Sequence, residues 1–297
     1  METRSLFAAL VGRPNVGKSS LLNALLGEKI AIVTDKPQTT RTRITGVLTK
    51  WPVQYVFIDT PGLHKAYNKL SNAMVKAVHS SLGDVDLAIL LIDASQKIGA
   101  PEMELIEDIK KSGLPSVLVI NKIDLLPKKE DVAAVIAAVS QLHDFDAVIP
   151  ISVIQNDGVS LVLDAITPFA EENVHFFPED SLTDQPERLL VAEMVREKLM
   201  QNLQQEVPHG VAVVVERMHA RADAPIMDID VTIYCERKTH KGIIIGKSGA
   251  MLKRIATSAR NDMEHFLDIK VNLQCWVKVR EGWRDSANFI RDIGLSE

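Results

Sequence analysis

Residues Gly12 to Ser19 read GRPNVGKS, two glycines with four residues between them, followed by a lysine and a hydroxyl. This pattern suits a phosphate chain. Without a Cβ to keep an anion at a distance, the backbone through Gly12, Arg13, Pro14, Asn15, Val16 and Gly17 can wrap a polyphosphate. A helix opening at Lys18, Ser19 and Ser20 would turn its positive end toward the same anion. Lys18 would reach the β- and γ-phosphates and Ser19 would hold Mg2+. Two later tetrapeptides extend the chemistry. In DTPG, Asp59 can hold Mg2+ through water and the Gly62 N–H can sense the γ-phosphate. In NKID, from Asn121 to Asp124, the Asp124 carboxylate can accept both N1–H and N2–H of guanine, while Lys122 lies over the ring. Adenine offers no such donor pair and would leave the carboxylate unpaired, which is how a polar pocket discriminates strongly.

Those residues need rigid elements behind them. Near-continuous apolar runs of strand length occur at 7–12, 53–59, 86–93, 115–122 and 147–152, as expected of a parallel sheet buried on both faces. The helical patterns SSLLNALLG, LSNAMVKAVHSSL, PEMELIEDIKKSG, KKEDVAAVIAAVSQL and VSLVLDAITPFAEEN alternate with them, with stops at Gly27 and Gly113. The alternation predicts a doubly wound α/β domain over residues 1–175, with its ligand at the carboxyl ends of the strands. In VHFFPEDSLTDQPER the pattern breaks, and 176–186 reads as a linker. Residues 187–297 then read as a helix, a strand at 210–220, a strand from Met227, a basic helix after Gly249 and a last strand at 268–279. Ile229, Val231, Ile233 and Cys235 alternate onto one face, as do Val271, Leu273, Cys275 and Val277, which predicts a smaller α+β domain with helices on one side of its sheet.

Composition narrows the class. The chain has 297 residues, 46% hydrophobic and 25% charged, ordinary for soluble globular domains and long enough for two. No apolar run is long enough to span a membrane and no signal peptide is evident, so a cytoplasmic location is expected. Cys235 and Cys275 have neither metal-site nor disulfide spacing and read as reduced core residues. The net charge of −5 is uneven: from Glu187 onward 17 basic side chains face 16 acidic ones, against 17 and 23 before it.

Within the back half, Arg237 to Asn261 carries Arg237, Lys238, Lys241, Lys247, Lys253, Arg254 and Arg260 and no acid. It contains GIIIGKSG, which has one residue too few to be a second triphosphate loop. Its working glycines are Gly246 and Gly249, bracketing Lys247 and Ser248. An apolar stretch, strand or helix, enters this G-x-x-G and a basic amphipathic helix leaves it. The arrangement resembles the K-homology (KH) fold, whose loop clamps the backbone of single-stranded nucleotides. Arg237, Lys238, Lys241, Lys253 and Arg254 would supply charge beside the loop. Trp276 and Trp283 read first as core anchors, with base stacking as the alternative.

GRPNVGKSSLLNALLG, KPQTTRTRITG, DTPGLHK, NKIDLL, HKGIIIGKSGAMLKRI and WVKVREGWRD together resemble the translation-factor-related GTPases, and more narrowly the Era family of ribosome-associated GTPases. The resemblance implies a P-loop GTPase domain followed by a KH domain. It implies GTP and GDP as ligands, Mg2+ as cofactor, and Thr40 as the switch threonine closing on Mg2+ and the γ-phosphate, with Thr39 as rival. Lys18, Thr40, Asp59 and Gly62 would then form the hydrolytic centre. Asn15 resembles the asparagine with which some related GTPases bind K+. The guanine-contacting stretch appears as Ser152-Val153-Ile154-Gln155-Asn156, in which the Val153 N–H can meet guanine O6 and Asn156 stands where glycine is usual. Leu63 replaces the glutamine that orients water in many GTPases, so hydrolysis is expected to be intrinsically slow. By resemblance the RNA is single-stranded and near the 3′ end of small-subunit ribosomal RNA, with a role in maturing the small ribosomal subunit. A monomer is expected. The rival readings are an RNA-binding assembly protein with GTP as a structural ligand, and a GTPase peripherally and weakly associated with a membrane.

Overall fold

The computed structural model describes all residues except Met1, Pro37, Gln38, Leu63 to Tyr67, Lys129 and Leu295 to Glu297, with the side chains of His79 and Asp292 also outside the description. The chain divides into two compact units, one made chiefly of residues up to Asp184 and the other chiefly of residues from Gln185.

The first unit contains β1 (Arg4–Gly12), α1 (Lys18–Leu26), β2 (Ile44–Lys50), β3 (Val53–Asp59), α2 (Lys69–Ser80), β4 (Leu87–Asp93), α3 (Ala100–Ser112), β5 (Ser116–Asn121), α4 (Glu130–Ser140), β6 (Ala147–Pro150), α5 (Val159–Ile166) and the short β7 (Glu171–Glu172). The sheet runs β2-β3-β1-β4-β5-β6, parallel except for β2 against β3 and for β7, which pairs antiparallel with β1. Successive residues of a strand face opposite sides. Leu6, Ala8 and Leu10 of β1 join the core beneath α1 and α5, while Ala9 and Val11 join the one beneath α3. That double burial is why the central strands read as unbroken apolar runs. Gly27 and Gly113 end α1 and α3 in left-handed conformations, with N–H bonds to the Asn23 and Lys110 carbonyls. β2 was not expected, because its sequence ITGVLTK mixes threonine and glycine into what is an edge strand.

Residues 176–184, expected within the linker, are bonded to the first unit. The Gln54 side chain, wholly buried on β3, accepts from the Phe176 and Phe177 N–H groups at 2.8 and 3.0 Å and donates to the Phe177 carbonyl at 2.9 Å. Farther on, the Val47 N–H donates to the Leu182 carbonyl at 2.8 Å and the Thr183 hydroxyl to the Thr45 carbonyl at 2.6 Å. A backbone this close to a sheet has to satisfy its polar groups, and the single amide of Gln54 answers three of them.

The second unit contains α6 (Glu187–Asn202), β8 (Val211–Ala220), β9 (Ile226–Cys235), α7 (Lys238–Ile245), α8 (Ala250–Leu267), β10 (Lys270–Val279) and α9 (Ala287–Asp292). Its sheet is ordered β10-β9-β8, with β9 parallel to β10 and antiparallel to β8. Ile229, Val231, Ile233 and Cys235 are all fully buried against the helices, and Val271, Leu273, Cys275 and Val277 line the same core. The stretch entering Gly246 is helical. Trp283 is a core anchor: it is fully buried and its Nε1 donates to the Gly210 carbonyl at 3.0 Å. Trp276 on β10 is 45% exposed. Among the described residues no helix is long and apolar enough to cross a membrane.

Replacing Gln54 by alanine leaves the Phe176 and Phe177 N–H groups and the Phe177 carbonyl without these part-buried bonds, so the first unit should lose about 2 kcal/mol. A lowered urea midpoint, with unchanged protection of the β9 amides from hydrogen exchange, is the expected outcome.

Candidate active site and nucleic-acid interface

The loop between β1 and α1 stands at the carboxyl ends of the parallel strands, and its neighbours press on it more closely than side chains allow. Gly17 has φ 104°, and a Cβ there would lie 2.2 Å from the Asn121 Nδ2. That amide donates to the Val16 carbonyl at 2.8 Å, while its Oδ1 accepts from the Lys122 and Val153 N–H groups at 2.8 and 3.2 Å. One side chain at the end of β5 thus ties the phosphate loop to the guanine loops. Gly62 is equally constrained: a Cβ there would lie 2.4 Å from the Pro14 nitrogen.

Lys18 is buried, and its Nζ donates to the Gly12 and Arg13 carbonyls at 3.0 Å each. Burial pushes its pKa down to about 8, with the nearby Asp59 charge opposing the shift. Asp59 moves the other way, to about 6, because desolvation outweighs Lys18, the Ser19 and Thr40 hydroxyls and the Thr60 N–H. Ser19 Oγ donates to Asp59 Oδ2 at 2.6 Å and stands 2.8 Å from Thr40 Oγ1, which is itself 3.4 Å from the same carboxylate oxygen. Among the described residues Asp59 Oδ1 is buried with no hydrogen-bond partner. Three hard oxygen donors converging on one point beside a buried carboxylate oxygen fit a Mg2+ ion. Thr39 is occupied elsewhere, its Oγ1 2.7 Å from Thr34 Oγ1 and from the Lys36 carbonyl. Leu63 lies outside the described residues.

At the guanine end, Lys122 adopts φ 66° and its Nζ donates to Asp93 Oδ2 at 2.7 Å. Desolvation would raise the Asp93 pKa, but the bonds from Lys122 and Ser95 prevail and hold it below its ordinary value. Ser152 Oγ donates to Asp124 Oδ1 at 2.5 Å, and Asn156 adopts a left-handed φ of 53°. Asn15 is left-handed as well, with φ 64°.

Two partners in this site went unread in the sequence. Asp93 ends LLID on β4 as Asp59 ends VFID on β3, and that parallel was a usable signal. Glu102 is buried at the start of α3, where its Oε1 is 3.0 Å from the Arg13 guanidinium. The local spacing announces a helix cap there and gives no sign of the arginine. Arg13 thus commits its side chain to α3.

In the second unit, Gly246 (φ 72°, ψ 177°) and Gly249 (φ 80°) bracket the exposed Lys247 and Ser248 between α7 and α8. A Cβ at Gly246 would lie 2.6 Å from that of Met251, so the turn into α8 needs a residue without one. Arg237 precedes α7, Lys238 and Lys241 lie on it, and Lys253 and Arg254 lie near the start of α8. All but the half-buried Lys241 are exposed. The buried Ile244 and Ile255 fix the two helices to the core. Backbone N–H groups at the start of α8, glycines and surrounding cations make an anion-binding edge.

Residues 7–122 match the family of 50S ribosome-binding GTPases, and residues 206–284 match the KH domain family. The chain is 47% identical over 294 residues to GTPase Era of Clostridioides difficile (strain 630), covering 99% of each. It is also 47% identical to GTPase Era of Ruminiclostridium cellulolyticum, covering 99% of this chain and 98% of the relative. Among solved structures it matches Aquifex aeolicus Era bound to GDP·AlF4− and Era in complex with MgGDPNP and nucleotides 1506–1542 of 16S ribosomal RNA. In both cases the TM-score is 0.96 at 35% identity, covering 99% of this chain and 100% of the other. With phosphate loop, guanine loops and G-x-x-G turn in their expected elements and such likeness along the whole chain, the protein belongs to the Era family of GTPases and hydrolyses GTP through a P-loop domain followed by a KH domain.

Proposed function

We propose that the protein is a GTP-controlled switch that binds single-stranded RNA from the 3′ end region of small-subunit ribosomal RNA and assists maturation of the small ribosomal subunit. The observation that carries this reading is one chain holding both a guanine-nucleotide site and an exposed G-x-x-G loop among Arg237, Lys238, Lys241, Lys247, Lys253 and Arg254. The relative solved with MgGDPNP and a 16S fragment supports the identity of both ligands.

In this reading Asp124 and the Val153 N–H recognise guanine, with Ser152 steering the Asp124 carboxylate and Lys122 covering the ring. The backbone from Gly12 to Gly17, with Ser19 and Ser20, cradles the phosphates. Ser19, Thr40 and Asp59 would hold Mg2+, which when bound would neutralise charge on the phosphate oxygens. Lys18 balances the charge that builds on the β- and γ-oxygens as the γ-phosphoryl passes to water, leaving GDP and phosphate. The Gly62 N–H reports the γ-phosphate, and Asn15 would hold K+ beside the phosphates. With leucine at 63, turnover is slow until another group orients the water, and RNA engagement is the trigger we assign. The nucleotide domain ends at Asp184 and the RNA-binding domain begins at Glu187. The protein acts as a monomer in the cytoplasm.

Single-turnover hydrolysis with and without an oligonucleotide copying the 16S 3′ region tests the switch. About tenfold acceleration is expected, with the RNA bound more tightly beside GTP than beside GDP. Equal rates and equal RNA affinity in both nucleotide states would end the proposal. For the guanine contact, Asp124→Asn exchanges an acceptor for a donor. Competition binding should show GTP weakened about a hundredfold or more and xanthosine triphosphate improved.

The Asp59 shift sets a pH dependence. Only the ionised carboxylate holds Mg2+, so a proton competes with the ion as pH falls through about 6. The Mg2+ concentration that half-saturates nucleotide binding should rise toward tenfold per pH unit below that point. Asp59→Asn should bind Mg2+ more weakly and lack this extra slope in the same titration.

A further inference from the structure

Outside the motifs, one buried carboxylate is aimed at the phosphate loop. Glu102 lies in the first turn of α3 and is 4% exposed. Its two oxygens have separate duties. Oε2 accepts from the Gly99 N–H at 2.8 Å and closes the start of the helix. Oε1 takes the Arg13 guanidinium at 3.0 Å, and Arg13 also reaches the Lys97 carbonyl at 3.5 Å. Arg13 is joined in turn to the catalytic lysine, since its carbonyl is one of two that accept from Lys18 Nζ. Two bonds therefore connect α3 to the Lys18 ammonium, Glu102 to Arg13 and Arg13 to Lys18, with the Gly99 bond fixing Glu102 at the start of the helix.

We propose that Glu102 is a positioning residue for the nucleotide: by holding the Arg13 side chain against α3 it fixes where the Arg13 carbonyl, and with it the Lys18 ammonium, stands under the phosphates. The inference rests on the reading that the Gly12–Ser19 loop binds GTP. The physical case is geometric. Gly17 and Gly62 secure the loop at the Asn121 and Pro14 contacts, and Arg13, ahead of both Pro14 and Gly17 in the loop, has a longer side chain that needs an anchor of its own. A charge-assisted bond to a largely desolvated carboxylate supplies one, and is stronger and better defined in direction than a neutral one. The same bond keeps the guanidinium beside α3, apart from the ammonium of Lys18.

The test is a double-mutant cycle on the full-length protein, reading dissociation of fluorescent GTP and GDP analogues. Wild-type binding of either analogue checks the underlying reading by itself; no binding would remove that reading before the cycle begins. Glu102→Gln keeps an oxygen for the Gly99 N–H and loses the charge. Arg13→Gln leaves the helix cap untouched, so it stays informative even where the Glu102 variant folds poorly. Each should speed GTP dissociation about tenfold, the double variant should be no faster than either single one, and Arg13→Lys should recover part of the loss. In steady state the rise should fall mainly on KM. Wild-type dissociation in Arg13→Gln overturns the proposal, as does full additivity of the two effects. So does Arg13→Lys behaving like Arg13→Gln.

Discussion

A loop that binds its ligand with its own N–H groups has few side chains with which to hold its shape. The surroundings must hold it instead, from distances at which a methyl group would collide. In this protein Asn121 meets Gly17 and Pro14 meets Gly62, so the strand that ends in NKID and the segment that follows β3 both rest on the loop from Gly12 to Ser19. The sheet behind them places each contact: β1, β3 and β5 run parallel with their carboxyl ends together, and each ends in a residue of the site. A shift of any one strand along its neighbour would break a contact that no other residue could remake.

The electrostatics follow from the same packing. Lys18 and Asp59 are buried side by side, and burial draws both toward neutrality, the lysine to about 8 and the carboxylate to about 6. In the proposed reading, phosphate beside Lys18 would favour the charged lysine and Mg2+ at Asp59 would favour the charged carboxylate. Each ligand therefore strengthens the form of the site that suits the other, a physical basis for taking up nucleotide and metal as one.

Much of this was legible in the sequence. Glycine spacing named the phosphate loop, and unbroken apolar runs located the central strands, because both properties depend on neighbours close in the chain. The GTP-site tetrapeptides, the G-x-x-G turn and the alternation of β9 and β10 were readable for the same reason. Edge strand β2 was missed since Thr45, Gly46 and Thr49 interrupt its apolar run, although residues 44–47 are buried. Asp93 and Glu102 were missed as partners because an ion pair between distant residues leaves no local mark: Arg13 and Glu102 are 89 residues apart in the chain. Trp283 and Trp276 look alike as letters, yet Trp276 alternates with the core-facing Cys275 and Val277 along β10 and stays 45% exposed, while Trp283, in a turn beyond the strand, is buried against Gly210.

Of residues 176–184, Leu182 and Thr183 bond to β2, which ends the sheet order and would otherwise present open backbone groups there. Unpaired strand edges recruit other strands, and proteins that leave them bare tend to associate edge to edge. This polar, proline-bearing stretch is thus a cover as well as a connection. Fragments of the nucleotide domain ending at residue 175 would carry an adhesive border, whereas those ending at 184 would keep it sealed.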